Sequence, residues 1–109
     1  MERILVATLG DLPAGRGWRV DVAGHRIALF REGGEVFALG DRCSHAEASL
    51  AEGEVFDGTV ECPRHGSSFD LRSGEVLSLP ATHGAPVYRT EVEGDDVYVW
   101  VTPVGGGTP

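Results

Sequence analysis

Along most of the chain, short runs rich in β-branched and aromatic residues alternate with turn-forming dipeptides, and no long helical stripe interrupts them. Residues 3–9, 18–23, 27–31, 35–39, 87–92 and 97–101 read as strands. Gly33-Gly34 fits a two-residue hairpin loop. Asp57-Gly58, flanked by Val55-Phe56 and Thr59-Val60, is one of the strongest short hairpin signals. Gly24-His25 reads as a turn, Ser73-Gly74 separates residues 68–71 from 76–77, and Glu93-Gly94-Asp95-Asp96 joins the last two strands. In residues 97–101 valine alternates with an aromatic, so one face is expected to pack inward. The expected fold class is all-β, an antiparallel β-sandwich-like domain over residues 1–103. A tail, residues 104–109, is expected to fray.

The length of 109 residues fits one compact domain, and 16 glycines and 6 prolines without a fixed period suit a turn-rich one. Charge narrows the partners. Nine arginines, no lysines and seventeen acids leave a formal net charge of −8. Phosphate binding needs a basic stripe, so no nucleic acid is expected, and an anionic membrane would repel such a surface. A protein with a basic docking face matches better, although acidity also serves plain solubility. No run approaches the roughly 18 apolar residues of a membrane span, and the polar start lacks the pattern of a secretory signal. The expected location is cytoplasmic, with no membrane contact.

The candidate chemistry lies in two stretches, Cys43-Ser44-His45 and Cys62-Pro63-Arg64-His65. These are the only two cysteines, fewer than a secreted disulfide scaffold would carry, and they can form one bridge. Each, however, has a histidine two or three residues downstream. Thiolates with imidazoles suit iron–sulfur clusters or zinc, whereas magnesium and calcium prefer oxygen. A closed Cys₂His₂ zinc site therefore stays open on the residues alone. The C-x-H spacing of the first pair fits zinc-finger patterns poorly.

Cys43-x-His45, sixteen residues, then Cys62-x-x-His65-Gly66 resembles the Rieske ferredoxin motif. The likeness covers nearly the whole chain, including the later loop Leu79-Pro80-Ala81. It implies a Rieske-type antiparallel β-sandwich with two cluster-binding loops at one tip. It also implies one [2Fe–2S] cluster, with one iron on Cys43 and Cys62 and the other on His45 and His65. Gly66, Ser67, Phe69 and Pro80 would surround it. Ser67 stands where high-potential relatives have a serine donating to a bridging sulfide. Phe69 stands where they often have a tyrosine donating to a ligand sulfur. Ala48 and Arg64 replace the extra cysteine pair of Rieske proteins from respiratory and photosynthetic complexes, so the chain resembles the small ferredoxins instead.

The implied function is one-electron transfer from a flavin-dependent NAD(P)H reductase to a non-haem iron oxygenase. Nothing in the sequence matches a dinucleotide fingerprint or a mononuclear iron triad, which makes the chain a carrier rather than an enzyme. The alternatives are an accessory small subunit of nitrite-reductase type and a structural zinc module. His25 and His83 read as surface or loop histidines, and Trp18 and Trp100 as core. Arg42 and Arg64 read as solvated side chains, or else as cations that offset cluster charge or meet a partner's carboxylate.

Overall fold

The computed structural model describes residues 1–32, 34–42, 48–64, 66–78 and 84–102. Its strands are β1 (Glu2–Thr8), β2 (Gly17–Val22), β3 (His25–Glu32), β4 (Glu35–Gly40), β5 (Glu54–Phe56), β6 (Thr59–Glu61), β7 (Ser68–Asp70), β8 (Val87–Glu93) and β9 (Asp96–Val101). One-turn 3-10 helices cover Leu9–Asp11 and Leu50–Glu52. A six-stranded sheet runs β1-β9-β8-β4-β3-β2 and a three-stranded sheet runs β5-β6-β7, every neighbour pair antiparallel.

The all-β expectation holds, with a refinement of the sandwich. Val97, Val99 and Val101 of β9 pack in one core cluster with Ile27 and Leu29 of β3, although β8 and β4 lie between them in the sheet. The large sheet is therefore curled on itself. Its outer face at β3 and β4 is covered by the small sheet, where Ala28, Phe30 and Leu39 meet Val60, Phe69 and Leu71. Strand β3 belongs to both cores, and Ile27, Ala28, Leu29 and Phe30 are all closed to solvent. A strand covered on both faces reads as a continuous apolar run, as 27–30 does. Each large side chain so buried contributes about 1.5–3 kcal/mol.

The hairpin signals translate into geometry with one shift. Asp57 (φ 52°) and Gly58 (φ 77°) both adopt the left-handed conformation of a type I′ turn between Phe56 and Thr59. The turn expected at Gly24-His25 falls instead on Ala23-Gly24, because Val22 pairs with His25. That register is the one that turns Ile27 and Leu29 inward, and a one-residue slip would send them to the opposite face. His25 is consequently a half-buried strand residue, not a surface histidine. Its Nδ1 lies 3.1 Å from the Tyr88 hydroxyl and its Nε2 2.6 Å from the Thr102 carbonyl oxygen.

The tryptophans also differ from expectation. Trp18 is 42% exposed, because β2 is an edge strand covered on one side only. Trp100 lies on the outer face of β9, opposite the valines. Its indole donates to Glu91 at 3.2 Å, and the Arg89 guanidinium sits 5.1 Å from its ring. His83 and the tail 104–109 lie outside the described residues.

Candidate metal centre

The second Cys/His stretch is a turn closed at its root. The Cys62 amide donates to the Ser67 carbonyl at 2.7 Å, and the Gly66 amide donates to the Cys62 carbonyl at 3.0 Å. Gly66 has φ +77°, which reverses the chain without the strain a side chain would bring. The root is dry: Cys62 is 1% exposed and Ser67 fully buried. Pro63, Arg64 and Gly66 are exposed, so these three residues meet solvent beside a buried thiol. Cys62 is a free cysteine, which removes the possible bridge to Cys43.

The first stretch leaves the end of β4. Cys43 and His45 lie outside the described residues, as do His65 and Pro80, but the roots of their loops are defined. Arg42 and Ser49 form an isolated antiparallel bridge, so residues 42 and 49 stand side by side with the ligand segment between them. Directly before it, the Asp41 side chain is fully buried. Its carboxylate accepts from the Ser49 hydroxyl at 2.7 Å, the Ala51 amide at 2.9 Å and Arg26 Nε at 3.0 Å. The chain then turns through Leu50–Glu52 to Gly53, where a Cβ would stand 2.0 Å from the Glu61 carbonyl oxygen. Glu61 precedes Cys62, so this close approach sets the roots of both ligand loops next to each other.

The proline-containing loop starts beside the second turn and ends between Gly74 and the end of β4. Ser68 N donates to Ser78 Oγ at 2.9 Å and Leu77 N to the Ser68 carbonyl at 2.7 Å. At the far end, Ala85 N donates to the Gly74 carbonyl at 2.8 Å and Gly40 N to the Pro86 carbonyl at 2.8 Å. Asp70 stabilises the intervening turn by accepting from Ser73 N at 2.9 Å and Arg72 N at 2.8 Å. Those bonds hold its carboxyl below the usual carboxylate range.

Among the described residues no group of three metal-ligating side chains converges, since three of the four candidate ligands lie outside them. The donor chemistry nevertheless fits an iron–sulfur cluster. A buried, unbridged thiol sits at the root of a turn whose fourth residue is a histidine, beside the root of a matching Cys/His loop. Phe69 is fully buried in the core cluster that contains Cys62, and Ala48 packs against the same cluster. Arg64 is exposed at the turn, as its solvated reading expects. What the sequence did not reveal is the convergence on Asp41. An aspartate at a strand end looks like an ordinary turn residue, and only burial distinguishes it.

Comparison with known proteins agrees with this geometry. The family model described as the Rieske [2Fe-2S] domain matches residues 2–89. The chain is 46% identical over 100 residues to a 3-phenylpropionate/cinnamic acid dioxygenase ferredoxin subunit from Shigella boydii, covering 91% of this chain and 93% of that one. Its fold matches the ferredoxin of carbazole 1,9a-dioxygenase from Nocardioides aromaticivorans with a TM-score of 0.86 at 35% identity, over 91% of this chain and 97% of that one. A complex of reduced oxygenase and oxidized ferredoxin in carbazole 1,9a-dioxygenase gives a TM-score of 0.82 at 35% identity, over 89% and 91%. The chain belongs to the Rieske [2Fe–2S] domain family, and its cofactor is one [2Fe–2S] cluster. Among the described residues, no helix is long and apolar enough to cross a membrane.

Proposed function

We propose that this chain is the ferredoxin of a multicomponent oxygenase system, carrying single electrons from a flavin-dependent NAD(P)H reductase to a non-haem iron oxygenase in the cytoplasm. The observation that carries this reading is a ligand turn buried at its root and open at its tip. Cys62 and Ser67 are closed to solvent while residues 63, 64 and 66 meet it. Such a turn can seat a redox group close to a partner's surface. Whole-length similarity to a dioxygenase ferredoxin subunit supports the same direction of traffic.

When bound, the cluster supplies reversible one-electron chemistry. Cys43 and Cys62 would hold one iron, and His45 and His65 the other. Gly66 shapes the turn, and Pro80 belongs to the loop whose first root is bonded to Ser68 beside it. Ser67 and Phe69 are the tuning positions. Hydrogen bonds to cluster or ligand sulfur stabilise the reduced state, so their number sets the potential. With Phe69 lacking a hydroxyl, the potential is expected in the lower half of the roughly −150 to +300 mV Rieske range. Phe69→Tyr should raise it and Ser67→Ala should lower it, as read by voltammetry. A potential near the top of the range that ignores Ser67→Ala would refute these roles.

The functional test is a reconstituted assay with reductase and oxygenase. Oxygenase turnover should require this chain and fall as ionic strength rises, because a carrier of net charge −8 is steered to a basic face. Substitutions at Arg64 should change the apparent affinity more than substitutions on the outer face of β9. Turnover that ignores salt, or that survives loss of a cluster ligand, would favour an accessory subunit over an electron carrier.

A further inference from the structure

We propose that Asp41 is a positioning residue for the cluster: its buried carboxylate clasps the two ends of the loop that carries Cys43 and His45. This deepens the ferredoxin reading and rests on it. Five hydrogen bonds converge on this one residue. Oδ1 accepts from Ser49 Oγ at 2.7 Å and Ala51 N at 2.9 Å, and Oδ2 accepts from Arg26 Nε at 3.0 Å. Through the backbone, Asp41 N donates to the Arg26 carbonyl at 3.0 Å and the Asp41 carbonyl accepts from Leu50 N at 2.6 Å. Residue 41 lies two positions before Cys43, and residues 49–51 follow the ligand segment. The clasp therefore ties the loop's entrance, its exit and strand β3 to a single side chain.

Stability alone is a poor reason to keep such a group. Burying a carboxylate removes its hydration, and a buried ion pair often holds a fold no better than well-packed apolar residues would. What the carboxylate adds is direction. Its two oxygens face three donors of different kinds, and each donor fixes a different piece of backbone. Only Arg42 separates Asp41 from Cys43, so a shift at the clasp passes directly to the ligand sulfur. Outer-shell groups that orient metal ligands act in this way, and their loss weakens metal retention. Among the described residues no buried side-chain polar atom lacks a partner, so the clasp is complete rather than strained.

The test uses the full-length holoprotein with Asp41→Asn, Ser49→Ala and Ser49→Thr. Three quantities are read: bleaching of the visible band by a chelator, the EPR signal of the reduced cluster, and far-UV melting of the sheets. Asp41→Asn and Ser49→Ala should bleach about tenfold faster than wild type. Their EPR signals should be shifted or broadened, and bleaching should be complete before the sheets melt. Ser49→Thr keeps the hydroxyl and should behave as wild type. If Asp41→Asn does not fold, the two Ser49 variants decide the matter. Bleaching of Ser49→Ala at the wild-type rate, or only in step with global unfolding, would overturn the proposal. A wild-type protein without a cluster would overturn the ferredoxin reading instead, so the two failures are distinguishable.

Discussion

Replacing Cys62 by alanine should abolish the cluster. Wild-type protein made with adequate iron and sulfide is expected to hold about two irons and two sulfides per chain. Cys62→Ala should hold almost none and lose its visible colour. The packing consequence is far smaller. Cys62 is 1% exposed and belongs to a core cluster, but removing one sulfur leaves a void of roughly methylene size, costing about 1 kcal/mol. The variant should therefore stay folded in the sheets while the ligand loops lose their tie, because metal binding is coupled to local folding. His25→Ala is the control. It removes contacts from the start of β3 to Tyr88 of β8 and to Thr102 after β9, and Tyr88 packs on a different core cluster from Cys62, so the spectrum should stay intact. Iron and sulfide analysis with a visible spectrum reads all three proteins. Colourless wild type with one zinc per chain and no labile sulfide would refute the assignment.

Gly74→Ala should be among the most destabilising single changes outside the ligands. Gly74 has φ +73°, and a left-handed conformation costs a residue with a side chain roughly 1–2 kcal/mol. Space is the larger problem. A Cβ there would stand 2.1 Å from the Ala85 carbonyl oxygen and 2.8 Å from Val87 Cγ2. Backbone must move to admit it, and this backbone has little in reserve. Ala85 N bonds the Gly74 carbonyl, and just beyond it β8 joins β4 through a short register, Ala38↔Tyr88 and Leu39↔Val87. Displacing residues 85–87 opens that joint, which is where the two halves of the large sheet meet. A loss of about 3 kcal/mol or more is expected, measured as a fall in the urea midpoint. Gly94→Ala isolates the conformational part, since Gly94 has φ +62° and nothing within 4 Å of its would-be Cβ. Equal losses at the two positions would show that the contact with Ala85 does not matter.

The strands and the Cys/His spacing were legible because they are local. Alternation in 97–101 needs only a period of two, and Val97, Val99 and Val101 are indeed the buried set. Asp57-Gly58 carries its own turn conformation, and two Cys/His pairs sixteen residues apart are a chemical pattern independent of packing. Neighbours far apart along the chain decided the rest. The hydrophobic runs did not say that β1 pairs with β9, or that the sheet curls until β9 packs against β3. Trp18 looked like core by type, yet lies on an edge strand, and Trp100 faces outward because the valines beside it take the interior. His25 looked like a turn residue until the register of β2 and β3 moved the turn by one. Asp41 shows the limit most clearly. Its donors come from β3, from residue 49 and from the turn after it, and only the folded chain brings them within 3.0 Å of one carboxylate. Residue identity determined which atoms can bind a cluster. Long-range burial, which removes water and leaves each polar group to find a protein partner, decided which side chains hold those atoms in place.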